Sequence, residues 1–444
     1  MSHPVRRLAR LAAALAVGVL ATTAEAATEI QWWHSMTGAL GDRVNSLADR
    51  FNQSQSDYKI VPVFKGTYPE SMAAAIAAYR AKNPPAIVQV FEVGTATMMA
   101  SKGAIKPVYQ LMADAGEKFD PKAYVPAVAG YYSTPQGQML SFPFNSSTPV
   151  FYYNKDAFQK AGLNPDQPPS TWPAVAAAAA KLKASGEKCG FTFGWPSWTQ
   201  LETFSAWHNI PFASKNNGFG GMDARLEINQ PLQVRHITNL KEWMDKGYVS
   251  YAGRTNEGEA KFYSGECPMM SSSSAAYANI TRNAKFKWGV APLPYYNDVN
   301  GAPQNSIIGG ASLWVMTGRP AAEYKGIARF FTFLSKPEIQ AEWHQNTGYL
   351  PITTAAYELT KKSGFYEKTP GPNVAVEQMI VKTTSNSRGV RLGNFVQVRT
   401  AIEEELENVW TGKKKPKEAL DDAVKRGNEI LDRFQKANKA GVAE

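Results

Sequence analysis

Cysteine is nearly absent: Cys189 and Cys267 are the only two in 444 residues. That excludes a disulfide-dense scaffold, so the fold rests on a hydrophobic core. In an oxidising compartment the two thiols can pair, but sequence does not show whether their Cα atoms lie close enough. Histidine is also scarce, with His3, His34, His208, His236 and His344. None of them falls in a metal-binding spacing such as H-E-x-x-H, and neither a G-x-S-x-G elbow nor a Walker A loop is present. A triad or a carboxylate pair assembled in space stays open, because its members need not be neighbours in sequence. Beyond the first 26 residues no apolar run approaches the ~20 residues that span a bilayer. Nucleic-acid motifs are missing too, although the chain is basic, with a formal net charge of +10. A diffuse positive field suits anionic solutes or membrane headgroups, and it serves equally as ordinary solubilising charge.

What is present begins with an export pattern. Arg6, Arg7 and Arg10 precede the apolar stretch Leu11 to Leu20, and Ala24-Glu25-Ala26 offers small residues at the two inspected positions. Residues 1–26 are therefore expected to be a cleaved signal peptide, leaving a protein that starts near Ala27 in the periplasm. The remainder is too long for one core of ordinary size, and two domains are expected. A hydrophobic content of 44% and a charged content of 19% are those of a globular chain.

The first third alternates strand and helix. Glu29 to Trp33 reads as a strand, and a helix follows with Val44, Leu47 and Phe51 on one face. Tyr58 to Phe64 is a second strand, and Met72, Ile76 and Tyr79 mark the next helix. Ala86 to Phe91 is a near-continuous apolar strand of the kind buried on both faces of a parallel sheet. A second unit starts near Pro149, with Val150 to Tyr153 as a strand and Ser170-Thr171 capping a helix. A strand returns at Gly309 to Val315. Ser335 is read as an N-cap before Pro337, and Lys413 to Lys415 as a solvated loop before a long amphipathic C-terminal helix. No repeat and no Gly/Ser linker separates the units, so two α/β lobes joined by several chain crossings are expected.

Four segments combine polar and aromatic residues at element ends. Lys65-Gly66-Thr67-Tyr68 and Phe91-Glu92-Val93-Gly94-Thr95 follow strands, the edge where open α/β sheets bind ligands. Glu92 is suited to accept from vicinal hydroxyls, or to favour the helix that follows it. Asn145-Ser146-Ser147 and the run Ser271 to Ser274 offer hydroxyls to an anion, or plain N-caps. Trp195-Pro196-Ser197-Trp198 presents two indoles for stacking on a ligand or for holding a quaternary ammonium, or for an aromatic core.

Together with Phe144 to Pro149, Pro211 to Gly218, Trp343 to Pro351 and Val409 to Lys414, these segments resemble the glycerol-3-phosphate-binding proteins of bacterial ABC importers, within the extracellular solute-binding proteins. The resemblance covers nearly the whole chain after the export segment. It implies a two-lobed periplasmic binding protein fold with an interlobe cleft and crossings near Ser147, Ile308 and Leu350. Lobe 1 is then 27–147 plus 309–350, and lobe 2 is 148–308 plus 351–444. It implies as ligand-binding residues Tyr68, Glu92, Ser147, Trp195, Trp198, Ser273, Gly310, Tyr349 and Arg399, with Arg399 offering a planar donor fork to a phosphate. It implies no cofactor and no metal. The implied ligand is sn-glycerol-3-phosphate or a glycerophosphodiester such as glycerophosphocholine. The implied partners are the importer's membrane permease subunits with their ATPase. A binder of neutral oligosaccharides and a periplasmic hydrolase remain the alternative readings.

Overall fold

The computed structural model describes residues 26–101, 103–369, 371–380 and 383–439. The expected export segment lies outside the described residues except for Ala26. The strands form two five-stranded sheets. In chain order they are β1 (Thr28–His34), β2 (Tyr58–Phe64), β3 (Ile87–Phe91), β4 (Phe142–Ser147), β5 (Pro149–Asn154), β6 (Phe191–Phe193), β7 (Val249–Ser250), β8 (Met269–Ser273), β9 (Trp288–Ala291) and β10 (Gly309–Val315).

The first sheet has the order β2-β1-β3-β10-β4, with β1, β2 and β3 parallel and β10 antiparallel to both of its neighbours. All five residues of β3 are buried, including Gln89, the one polar residue in an otherwise apolar run. The helix Gly38–Ser54 covers this sheet with Val44, Leu47 and Phe51, which pack among Trp32, Phe330 and Phe333. The second sheet has the order β7-β6-β8-β5-β9. Thr171 caps the Trp172–Ala184 helix over it, its hydroxyl accepting from the Ala174 N–H at 3.3 Å. The helices Phe395–Trp410 and Pro416–Lys439 pack on each other, with Val398, Ile402 and Val409 against Leu420, Ala423 and Leu431.

Only Thr148 separates β4 of one sheet from β5 of the other. Its hydroxyl donates to the Ile307 carbonyl at 3.0 Å, two residues before β10 begins. The Leu350 N–H donates to the Ser146 carbonyl at 2.7 Å. Ser147, Ile308 and Leu350, where crossings were expected, thus lie in neighbouring segments. The helix Thr354–Lys362 still packs on the helix Pro337–Thr347, so the chain does not leave the first body at Leu350.

Several local expectations are corrected. In the Tyr68–Arg80 helix the inward residues are Ser71, Met72 and Ala75, whereas Ile76 and Tyr79 are exposed. Ser335 ends the helix Ala321–Leu334 instead of capping the next one, its hydroxyl donating back to the Phe331 carbonyl. Lys414 is not free in solvent, since its ammonium bridges Glu405 and Asp422 at 2.7 and 2.6 Å. Cys189 and Cys267 form a disulfide with Cα atoms 4.9 Å apart, just before β6 and β8, which pair in parallel through Phe191 and Met269.

Candidate functional site

Between the two sheets lies a concave cleft with a cavity volume of about 150 Å³, lined by apolar and aromatic side chains with a few polar groups as small-molecule sites are. All nine expected site residues line it. Tyr68, Glu92, Gly310 and Tyr349 come from the first body, Trp195, Trp198 and Ser273 from the second, and Ser147 from the junction. Arg399 enters from the C-terminal helix pair. Outside the cleft the two bodies meet where Arg282 pairs with Asp42 at 2.7 Å.

Local sequence fixes these positions. Thr67 and Glu70 form a reciprocal capping box and Pro69 opens the helix, so Tyr68 is held in its first turn. A buried amide chain braces it: Gln89 Oε1 accepts from the Ser35 N–H, Gln89 Nε2 donates to Asn145 Oδ1, and Asn145 Nδ2 donates to the Tyr68 oxygen at 3.1 Å. Tyr349 also hydrogen-bonds with Tyr68 and Asn145, which joins the two phenols in one cluster at the cleft wall. Burial pushes the phenols of Tyr68 and Tyr349 up, so both stay protonated donors at any physiological pH. Trp195 adopts φ +54° and its N–H donates to the Thr255 carbonyl at 2.7 Å. The five-residue π-helix Trp198–Glu202 follows, a widened turn of the kind that often marks functional sites. It turns Trp198 to the cleft and Glu202 to Arg399. The Trp198 indole Nε1 is buried and has no protein partner.

Gly310 has φ +87°, and a Cβ there would lie 1.9 Å from the Asn145 carbonyl oxygen. Gly310→Ala must therefore distort the β10–β4 junction that frames the cleft. Titration calorimetry of that variant is expected to show at least a tenfold loss of ligand affinity, and unchanged affinity would remove Gly310 from the site.

Arg399 departs from its expected role. Nε and Nη2 grip Glu202 at 2.9 and 2.7 Å, and Nη2 also reaches Glu92 Oε1 at 2.9 Å. Three of the five guanidinium N–H donors are thus committed inside the protein, and Nη1 keeps the remaining two. Both carboxylates are buried beside it, and the guanidinium is neutralised where it stands. It cannot offer a two-nitrogen fork to a phosphate, because Nη2 is spent. Burial and the neighbouring Glu202 push Glu92 up while Arg399 opposes them, and Glu92 Oε2 remains open to a hydroxyl. One turn further along the helix, burial pushes Glu403 up to about 8, so it is neutral at pH 7.

Sequence reasoning missed Glu202, Glu403 and Glu259. Among the described residues lining the cleft, only Glu92, Glu259 and Arg399 carry ionisable charge, and the one cation is already paired. The other polar groups of the expected site are neutral: the hydroxyls of Ser147, Ser273, Tyr68 and Tyr349 line the cleft beside the glycine backbone at Gly310.

A model of the bacterial extracellular solute-binding protein matches residues 46–371. The chain belongs to that family. Among its relatives is the sn-glycerol-3-phosphate-binding periplasmic protein UgpB of Pectobacterium atrosepticum, 58% identical over 440 residues, covering 99% of this chain and 98% of that protein. The protein of the same name from Escherichia coli strain 536 is 59% identical over 432 residues, covering 97% and 98%. Solved structures share the fold. UgpB from Mycobacterium tuberculosis in complex with glycerophosphocholine superposes with a TM-score of 0.77 at 23% identity, over 92% of this chain and 99% of that one. The GacH receptor of Streptomyces glaucescens gives 0.75 at 19%, over 92% and 100%. The solute-binding protein described here therefore has the two-lobed fold of periplasmic binding proteins, with its cleft where the two sheets face each other.

Proposed function

We propose that this chain is the periplasmic subunit of an ABC importer for sn-glycerol-3-phosphate and glycerophosphodiesters, and that it binds its ligand without chemical turnover. The observation that carries the reading is the 58% identity to a protein of that name over nearly its whole length. The cleft supplies a physical account. Glu92 Oε2 accepts from the glycerol hydroxyls and Arg399 Nη1 donates to them, while Ser147, Ser273, Tyr68 and Tyr349 donate to the phosphate. Trp195 and Trp198 cover the carbon skeleton and exclude water. Contacts from both bodies favour the closed arrangement by differential affinity, and that arrangement docks on the permease subunits, which work with their ATPase.

Titration calorimetry of the chain from Ala27 with glycerol-3-phosphate, glycerophosphocholine and maltose tests the reading. Saturable one-to-one heat with the phosphate compounds and none with maltose is expected. Binding of maltose alone would replace this reading with that of a neutral sugar binder. Steady release of product from a chromogenic phosphodiester would replace it with that of a hydrolase.

A further inference from the structure

Glu259 is a buried carboxyl that neither the resemblance nor the role of Arg399 accounts for. It sits in the short helix Glu257–Tyr263 and lines the cleft. Gly258 presses that helix onto the end of β6, where a Cβ would come 2.4 Å from the Phe193 carbonyl oxygen. Glu259 is thereby wedged against β8, only 5% exposed, with Oε1 accepting from the Ser272 hydroxyl at 3.2 Å. Asn279 is its other hydrogen-bond partner.

The ionisable groups around it supply no counter-ion. On its own helix, Glu257 turns away to Thr255, and Lys261 pairs with Glu266 at 2.6 Å. On the helix Ala276–Asn283, Arg282 is engaged by Asp42, and Tyr277 is an uncharged phenol. Tyr152 from β5 and Tyr349 across the cleft feel its charge but carry none. Arg399 is held by Glu92 and Glu202. Burial pushes the Glu259 carboxyl up to about 7, aided by Glu257 and opposed by the Ser272 and Asn279 hydrogen bonds.

A carboxyl in this position is either neutral or balanced by positive charge on the ligand. The two ligand classes differ in that charge. A phosphomonoester approaches −2, whereas a phosphodiester of an amino alcohol carries one negative charge and one cation. Aromatic faces line the same cleft as the carboxyl. The Trp195 and Tyr68 rings are 6.5 Å apart and tilted. Trp195 hangs from the Thr255 carbonyl in the loop that leads into the Glu259 helix, and a Cβ on adjacent Gly194 would be 2.8 Å from the Ser272 hydroxyl. A cleft that holds both a carboxylate and aromatic faces suits an ammonium group.

We propose that Glu259 sets the charge preference of the cleft, selecting zwitterionic glycerophosphodiesters over the dianionic monoester. This rests on the functional reading above and names the ligand class within it. Ionised Glu259 repels a dianion and attracts the ammonium end of a diester.

The test is calorimetry of the wild type and Glu259→Gln with glycerol-3-phosphate and glycerophosphocholine at pH 6 and pH 8. In the wild type, the affinity ratio of diester to monoester is expected to rise about tenfold more between pH 6 and pH 8 than in the variant, one pKa unit of differential interaction being tenfold. The monoester's own second ionisation near pH 6 is common to both proteins and cancels in that comparison. At pH 8 the variant loses affinity for the diester and gains it for the monoester. A ratio in Glu259→Gln within twofold of the wild type at both pH values overturns the inference. So does an equal loss for both ligands at an unchanged melting temperature. If the wild type binds neither ligand, the functional reading fails first and takes this inference with it.

Discussion

Arg399→Ala is expected to abolish measurable ligand binding and to destabilise the fold by about 3–5 kcal/mol, the usual cost of removing one partner from a buried ion pair. Two carboxylates, Glu92 and Glu202, would be left without their cation, both less than a tenth exposed. The cost has a predictable pH dependence. Burial pushes the Glu92 carboxyl up and Arg399 opposes it, so without Arg399 this group holds its proton more tightly in the folded state than in the unfolded one. The folded variant then binds more protons, and its stability relative to the wild type recovers on acidification. Urea melts at pH 5 and pH 8 should therefore show a larger deficit at pH 8. Adding Glu202→Gln to Arg399→Ala should recover part of the stability but not the binding. An Arg399→Ala protein as stable as the wild type, weakened only toward phosphorylated ligands, would return Arg399 to the role of a phosphate fork.

The second large effect concerns Cys189 and Cys267. Replacing both by serine should lower stability by about 4 kcal/mol, since the bond closes a 78-residue separation and releasing such a loop restores that much entropy to the unfolded chain. The bond ties the starts of β6 and β8. β6 leads on to Trp195 and Trp198, and the parallel β8 ends on Ser273. Loss of the bond should thus reach the cleft as well as the melt. Wild-type protein in dithiothreitol should match the double variant in urea, and the variant should not respond to the reductant. A wild type indifferent to reductant would show that the bond contributes nothing to the folded state. The bond also fits a chain that matures in an oxidising compartment.

The α/β class and the two units were legible because Ala86 to Phe91 and Val150 to Tyr153 are short runs rich in β-branched and aromatic residues, each preceded by proline, which favours a buried strand over a helix. The cleft residues were legible chiefly through resemblance. From residue chemistry alone, Glu92 stood equal with a helix-start charge, and its pairing with Arg399 joins positions 307 residues apart. Glu257 and Glu259 open a short helix and read as ordinary first-turn acids. Nothing local tells that Gly258 drives one of them inward. Glu202 follows Gln200 and Leu201 without a signal, because the π-turn that aims it at Arg399 leaves no period in the sequence. The exposed Ile76 and Tyr79 failed for the opposite reason: the apolar spacing is present, but the alanines beside it let the helix settle on a different face.

The single residue between β4 and β5 has a consequence for how such a protein adapts. Ser147 is the last residue of β4, Gly310 belongs to the strand beside it, and both line the cleft. The hinge and the binding wall are therefore the same few atoms. Selection for a tighter grip at these positions also resets how easily the two bodies swing apart. Mutational drift in this lineage should therefore tune ligand preference from the far rim of the cleft, where Trp195 and Glu259 sit, while the junction changes little.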